Sequence, residues 1–467
     1  MHYVTDLHLH SKYSRAVSPQ MNLETMSRLA LQKGLDILSA ADFTHPVWFK
    51  ELSEKLEERH EGLYVFKSET NSNGRNTNAQ KETLFMLSTE ISSIYKQGDK
   101  VRRIHNLIFV PSLAIAEKFN KSVISRGGNL NADGRPIVGL SSHDLLELLL
   151  SIDERAFLIP AHIWTPHFGI YGSASGFDSL EEAFKDLAPY VFGIETGLSS
   201  DPDMNWQVQE LMNRSILSFS DAHSAPKMGR EATVMELKEA SYMNVREAIM
   251  RTKTHPNPPL SGREFSPPEK GEFEGGNHIA YTLEFYPEEG KYHFSGHRDH
   301  KVVYGPEEIQ EKGNICPVCN RRLTEGVLYR VQQLADPKLL HRTGSEIDEH
   351  GVKWYTDTLK KQPPFVKLVP LLEVVAEALG SSVHSQKSNT LFATLCSELQ
   401  SELHVLLQAP LTNIEKVAGG RVAQGVSKVR AGNIAIDPGY DGVYGKVAIW
   451  QEGEEKAEEI PQLKLDI

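Results

Sequence analysis

The sequence predicts an α/β fold built as a barrel, followed by a small metal-stabilised module and a mostly helical C-terminal domain. Three observations lead there. Short apolar, strand-like runs alternate with amphipathic helical ones through the first half of the chain, and that many units favour a barrel over an open sheet. His, Asp and Glu fall repeatedly at the ends of those runs. Further on, two His and two Cys occupy a stretch punctuated by Gly and Pro, after which helical periodicity takes over.

The first element is the strand in MHYVTDLHLH. Period-two alternation puts Asp6, His8 and His10 on one face and Leu7 and Leu9 on the other. Leu23–Lys33 reads as an amphipathic helix, and Leu35–Ala41 as a buried strand ending at Asp42 and His45 in ADFTH. Ser68–Lys81 is a polar, Asn-rich loop. Leu84–Ser88 is a strand followed by Glu90, and Asn106–Val110 a strand preceded by His105. The helix Ser141–Ser151 leads to the strand Ala156–Pro160 and then His162. The helix Leu180–Leu187 leads to the strand Val191–Ile194, next to Glu195 in GIETG. The strand Ser215–Ser220 ends at Asp221 and His223, in SDAH. A linker rich in Pro, Gly and charge, NPPLSGREFSPPEKGEFEGG, closes this part. The expected organisation is a barrel over 1–277, a metal-binding module over 278–338, a helical domain over 339–450 and an acidic tail over 451–467. Helices are expected in PLLEVVAEALG and through TLFATLCSELQSELHVLL.

The bulk composition narrows the class. No run of about 18 apolar residues suggests a membrane span, and the opening residues lack the basic and apolar segments of a signal peptide. Only 3 cysteines occur, two of them in Cys316-x-x-Cys319, which argues against a disulfide framework and for the reducing cytoplasm. A formal net charge of -12 does not advertise a nucleic-acid partner, but bound divalent cations would offset part of it. Charge therefore decides little.

The joint placement of His8, His10, His105, His162, Asp42, Glu90, Asp221 and His223 decides more. In an α/β barrel the C-terminal strand ends converge on one rim, and these groups are too many for one ion. Mixed N/O ligation suits zinc, manganese or iron, and a carboxylate such as Glu90 can bridge two ions. Several ions on one rim suit phosphoester hydrolysis, because paired cations clamp the attacking and leaving oxygens. Asp6 is expected to orient a ligand. His45, His143, His167, Glu69 and Glu195 are further candidates, Glu195 foremost. In the small module, His297-x-x-His300 and Cys316-x-x-Cys319 fit a closed, structural tetrahedral zinc, the alternative being a redox pair at the cysteines.

D-L-H-L-H, G-L-D-I-L-S-A-A-D, S-T-E-I, R-I-H-N-L and S-D-A-H, in this order, resemble the motifs of the PHP (polymerase and histidinol phosphatase) family. The resemblance implies a distorted (β/α)7 barrel with a trinuclear metal centre that hydrolyses phosphoesters. It assigns His8, His10, Glu90 and Asp221 to one ion and Glu90, His105 and His162 to a second. Asp42 and His223, joined by His45, fall to a third, and Glu90, Asp221, His10 and His223 become the catalytic set. One departure matters: the usual Asp-His pair of the second motif is here Asp42-Phe43, with His45 three residues on.

Over essentially the whole chain, H-F-G-I-Y-G-S-A-S-G-F-D-S, I-E-T-G-L-S-S-D-P-D-M-N-W, S-D-A-H-S-A-P-K-M-G-R-E-A, C-P-V-C-N-R-R-L-T-E-G-V-L and D-P-G-Y-D-G-V-Y-G resemble the endonuclease Q family. That resemblance implies a DNA-repair endonuclease that nicks 5′ to deaminated bases (uracil, hypoxanthine, xanthine) and abasic sites, with damaged DNA as its partner. It also implies up to three Zn2+ in the barrel and one structural Zn2+, with Mg2+ or Mn2+ as alternatives for activity. The expected location is the cytoplasm, with the nucleoid. A lesion inside a duplex must be unstacked to be inspected. Phe168, Tyr171 and Trp206 are the wedge and pocket candidates, and Gly169, Gly172 and Gly176 with Ser173 and Ser175 a loop for phosphate. Lys96, Lys100, Arg102 and Arg103 form a basic cluster before His105. Arg321 and Arg322 follow the Cys pair, and Lys353, Lys360, Lys361, Lys367, Arg421, Lys428 and Arg430 make the C-terminal domain locally basic. Gln462, Leu463, Leu465 and Ile467 resemble the bacterial sliding-clamp motif. The rival expectations are a small-molecule phosphatase on the same barrel and a non-catalytic, clamp-tethered DNA-binding scaffold.

Overall fold

The computed structural model describes residues 1–67, 82–250 and 276–451. The Asn-rich stretch with Glu69, the linker up to residue 275, and the tail with Gln462, Leu463, Leu465 and Ile467 lie outside the described residues.

The chain begins with the strand His2–Asp6 and crosses over through the helix Leu23–Lys33. That helix starts where the Asn22 side chain accepts from the Thr25 N–H and stops at Gly34, whose φ of 88° is left-handed. The next strand, Ile37–Ser39, returns parallel to the first, and Leu84–Met86 lies parallel beside it. Ala232–Glu236 runs antiparallel along the other side of the first strand. These strands form the middle of a ten-stranded sheet. Leu84–Met86 leads on into Ser88–Gln97, which forms a hairpin with Lys100–Phe109; Phe157–Pro160 pairs antiparallel beyond it. Gly193–Glu195 and Ser215–Leu217 form a parallel pair.

Side chains from successive strands meet in one apolar cluster: Leu7, Ile37, Met86, Phe109, Phe157, Phe219 and Met235. Phe109 and Phe157 stack with ring centroids 4.6 Å apart. A larger cluster lies beneath the helices and runs on into the C-terminal region. The helices Leu113–Ser125 and Ser142–Ile152 are capped by Ser112 and Ser141.

The large sheet crosses the domain boundaries expected at 277/278 and 338/339. His278–Glu284 pairs antiparallel with Ala232–Glu236 and parallel with Phe365–Lys367, and Lys353–Asp357 and Thr343–Ile347 extend the sheet outward. The third region therefore opens with three strands before its helices. Those strands carry few apolar residues, which is why periodicity does not announce them. Five helices follow: Leu371–Ala378, Gln386–Glu398, Glu402–Leu407, Leu411–Ala418 and Gly420–Ala431. The long helix expected through TLFATLCSELQSELHVLL is broken at Gln400, whose φ is 73°, and Ser401 caps the next helix by accepting from His404 N–H. Lys33 and Glu402 form a buried ion pair at 2.5 Å that fastens this helical region to the first helix. Among the described residues no helix is long and apolar enough to cross a membrane.

Candidate metal centre

The first strand ends at Asp6, and just beyond it Leu9 makes an isolated parallel bridge to Ala222, with His8 and His10 on either side of it in the chain. Both imidazoles are buried. Glu90 comes from the strand Ser88–Gln97, His105 from its hairpin partner, and His162, Asp221 and His223 from turns that follow short strands. Three groups of ligand atoms, each gathered within 4.8 Å, result: His8, His10 and Glu90; His10, Asp221 and His223; Glu90, His105 and His162. His10 and Glu90 are shared between groups.

Glu90 sits at the centre. Its Oε1 lies 2.5 Å from His105 Nδ1 and 3.1 Å from His162 Nε2. Its Oε2 lies 3.4 Å from His10 Nε2 and 3.8 Å from His8 Nε2. Asp221 Oδ1 is 3.0 Å from His10 Nε2 and 3.5 Å from His8 Nε2. The far nitrogens of the first two histidines are held from behind, His8 Nδ1 by Glu195 at 2.8 Å and His10 Nδ1 by Asp42 at 3.2 Å. A cation fits this donor set. His8 Nε2 is buried with no hydrogen-bond partner, yet it points at two carboxylates. Backbone strain gathers at the same place: Ala41, Asp42, His162, Phe168 and Asp221 all have positive φ.

Burial works against every charge here, and neighbours decide the outcome. It would raise Glu90, but His105 and Arg135 hold that carboxyl well below its ordinary range. It pushes the His105 imidazole down to about 4, against the pull of Glu90. His8 and His10 go the other way, raised despite burial by Glu195 and Asp221 in one case and by Asp221 and Asp42 in the other. A metal binding there has to displace protons, so affinity falls with falling pH.

Several expected ligands lie one step outside the three groups. Asp42 is buried beside His10, but its Oδ2 accepts from the Ser11 N–H at 2.6 Å and the Ser14 hydroxyl at 2.8 Å. His45 stacks on Tyr13 at 4.7 Å and belongs to none of the groups. Glu195 is fully buried and ties two ligand segments together, with Oε1 on His8 and Oε2 accepting from the His162 N–H at 2.8 Å. Asp6 accepts from Ser220 N–H, Ser220 Oγ and Gly229 N–H, so it fixes the turn that carries Asp221. His143 sits elsewhere, at the start of the helix Ser142–Ile152 with Asp144, Glu147 and Asp186, and His167 is exposed. Arg135 was not anticipated. Its Nη1 lies 3.2 Å from Glu90 Oε2, and it comes from GGNLNADGRP, a turn-rich stretch whose only sequence signal is its turn residues.

Residues expected at DNA divide. Phe168 is half-buried, lies against His105 with ring centroids 4.3 Å apart and planes tilted by 34°, and accepts the His105 N–H at its carbonyl. Ser173, Lys100, Arg103 and Arg321 are exposed and Lys428 is partly exposed. Arg102 is occupied, bonded to Gly176 O and lying over the Phe177 ring. Tyr171 and Trp206 are core residues: Tyr171 is fully buried with its hydroxyl donating to Glu210, and Trp206 packs edge-on against Phe365. Arg430, expected at DNA, is likewise a core residue. It is buried, and its guanidinium donates to the carbonyls of Leu406, Val405, Ala409 and His350. Lys367 is spent on Asp201 at 2.6 Å. Gly169 and Gly172 pack against backbone carbonyls too closely for a Cβ, so these glycines fold the loop on itself.

A second ligand group lies in the small module. His297, His300 and Cys319 offer atoms within 4.8 Å of one another, and Cys316 Sγ lies 3.4 Å from His300 Nδ1. Burial would raise the Cys316 thiol, but the Cys319 and Val318 N–H groups and His300 bring it down to about 7. His297 Nδ1 is buried without a partner. Thiolate and imidazole of this kind suit a tetrahedral cation.

The family model described as the MJ0043 C-terminal domain matches residues 370–433. The Methanocaldococcus jannaschii protein MJ0043 is 27% identical over 292 residues, 61% of this chain, and the chain spans 31% of that protein's length. The Bacillus subtilis protein YqxK is 26% identical over 456 residues, 95% of this chain and 98% of its own. The lesion-specific endonuclease PfuEndoQ of Pyrococcus furiosus superposes with a TM-score of 0.74 and 27% identity, over 96% of this chain and 95% of its own. An endonuclease Q bound to a 27-mer duplex, with an abasic lesion at the active site, superposes with a TM-score of 0.75 and 28% identity, over 97% and 98%.

Proposed function

We propose that this chain, which shares the fold of the DNA-cleaving endonuclease Q over nearly its full length, is a metal-dependent DNA repair endonuclease. It cuts the phosphodiester 5′ to deaminated bases and abasic sites. The observation that carries the reading is Glu90, a buried carboxylate facing His8 and His10 through one oxygen and His105 and His162 through the other. His8, His10, Glu90 and Asp221 would hold one cation, Glu90, His105 and His162 a second, and His223 with Asp221 a third. The short strands around the apolar cluster would then close as the distorted (β/α)7 barrel. His297, His300, Cys316 and Cys319 would hold a structural zinc. The tail motif would meet a sliding clamp, which clamp pull-down with and without residues 462–467 tests.

Bound divalent cations supply Lewis acidity and lower the pKa of an attacking water. The chain's own groups do the rest. Glu195 and Asp42 accept at Nδ1 of His8 and His10, which fixes the tautomer and leaves each Nε2 lone pair facing inward. Phe168, half-exposed on His105, offers a face for an unstacked base, and flipping costs least at damaged or mispaired positions.

The test uses end-labelled duplexes with one uracil, hypoxanthine, xanthine or abasic site, incubated with Mg2+, Mn2+ or Zn2+ and mapped for nick position. A single nick 5′ to the lesion is expected. Turnover of phosphomonoesters without nicking would point instead to a small-molecule phosphatase. Binding without cleavage, and fewer than two bound ions, would point to a scaffold.

A further inference from the structure

Arg135 is placed in the centre by a short, well-tied turn. Gly134 N–H donates to Tyr13 O at 3.1 Å, Thr44 Oγ1 donates to Gly134 O at 3.3 Å, and Ser92 N–H donates to Pro136 O at 3.0 Å. Arg135 N–H donates to Asp133 Oδ1 at 3.1 Å. A Cβ on Gly134 would lie 2.3 Å from Ser14 Oγ and 2.5 Å from Asp42 Oδ2, so only glycine lets the turn settle this low over the ligands. The backbone is pinned, but the side chain ends at the surface of the site. It is 24% exposed, whereas the Glu90 carboxylate it touches is 0% exposed.

Among the described residues, Arg135 is the one lysine or arginine that pairs with Glu90. Lys12 pairs with Glu51 at 2.9 Å, and Arg102 is bonded to Gly176 O. Arg135 is thus a permanent positive charge that reaches both the metal ligands and solvent. Only its Nη1 is bonded to Glu90, at 3.2 Å, and the guanidinium has four further N–H donors. Cations drawn to Glu90 compete for the oxygen that Arg135 now holds. The charge then has to find another anion at the mouth of the site, and its planar fork matches two oxygens of a phosphate.

We propose that Arg135 grips the non-bridging oxygens of the scissile phosphate, a proposal that rests on the endonuclease reading above. It binds the phosphate in the ground state and holds the charge that grows on those oxygens during displacement.

The experiment compares wild type, Arg135→Gln and Arg135→Lys, all loaded with metal and checked for melting temperature and metal content. The probe is a fluorescent duplex bearing a stable abasic analogue, with binding read by anisotropy in Ca2+ over a salt series and nicking read in Mg2+ or Mn2+. Arg135→Gln is expected to weaken binding roughly tenfold, flatten the log K against log salt slope by about one, and slow nicking by roughly 10²–10³. Arg135→Lys is expected to keep the salt slope and lose most of the rate, because a point charge replaces a fork. Wild-type kcat and KM in Arg135→Lys would overturn the proposal, even if Arg135→Gln fails to fold. So would an Arg135→Gln protein whose metal content and activity fall together while affinity and salt slope stay unchanged, since that is charge compensation of Glu90 alone. A wild type that nicks no lesion duplex would instead overturn the endonuclease reading.

Discussion

Single residues carry opposite kinds of work in this protein. Glu90 is a buried carboxylate that only cations and imidazoles make tolerable. Glu90→Gln should cut nicking by roughly 10³-fold and lower bound metal, measured by elemental analysis, with little change in far-ultraviolet circular dichroism. Arg430 is the converse: a cation that stabilises rather than acts. Arg430→Ala strands the four carbonyls it caps and should cost about 3 kcal/mol, seen as a lower denaturation midpoint, with intrinsic DNA affinity preserved below that midpoint. That His8, His10, Glu90, His105, His162, Asp221 and His223 come together was legible because metal chemistry uses those residue types at strand ends, whereas nothing in the sequence told them apart from Asp42, His45, His143 and His167, which lie outside the three groups. Arg135 and the burial of Arg430 were not legible, since an arginine in a turn or a helix looks the same in sequence whether it meets water, a carbonyl or a carboxylate.

At the level of elements, the strand His278–Glu284 places Glu284 in a fully buried position, where Ser218 and Thr282 hydroxyls donate to one oxygen and the other has no partner. Burial, with Asp201 adding to it, pushes this carboxyl up to about 8. Unfolded, it ionises near the ordinary 4.5. Between those values the folded chain holds a proton that the unfolded chain has released, so its contribution to stability declines as pH rises and levels off above about 8. Glu284→Gln should therefore flatten the fall, leaving the fold more stable than wild type at pH 8 by on the order of 1–3 kcal/mol in denaturant unfolding and differing least near pH 4. Sequence periodicity placed many elements of the first half, because the short apolar runs there end in turns or polar residues, but it passed over the helices Pro46–Lys55 and Leu113–Ser125 and the strand Ala232–Glu236. It missed the three strands that open the third region, where side-chain pairing across the sheet rather than an apolar pattern defines the strands. The long predicted helix failed at Gln400 because nothing in its apolar spacing marks a left-handed residue.

Across the whole molecule, the two halves are fastened by polar groups as well as by apolar packing. Glu402 takes the Lys33 ammonium on one oxygen and the Leu371 N–H on the other, linking the first helix to the C-terminal ones. Lys33→Met leaves a buried carboxylate uncompensated and should cost about 3–5 kcal/mol, whereas adding Glu402→Gln should recover most of it; thermal melts of the single and double variants decide this. The overall α/β architecture and the gathering of His297, His300 and Cys319 were readable from the sequence, but the sheet that runs through the expected boundary was not, because long-range strand pairing leaves no local trace. Its consequence concerns how the chain can be assembled. Ala232–Glu236 and His278–Glu284 are adjacent strands contributed from either side of residues 251–275. Fragments 1–250 and 276–467, synthesised separately, each present a bare edge that the other completes. Mixed at equal concentration, they should associate into a species with the parent's hydrodynamic radius and melting profile, whereas either fragment alone should self-associate or precipitate.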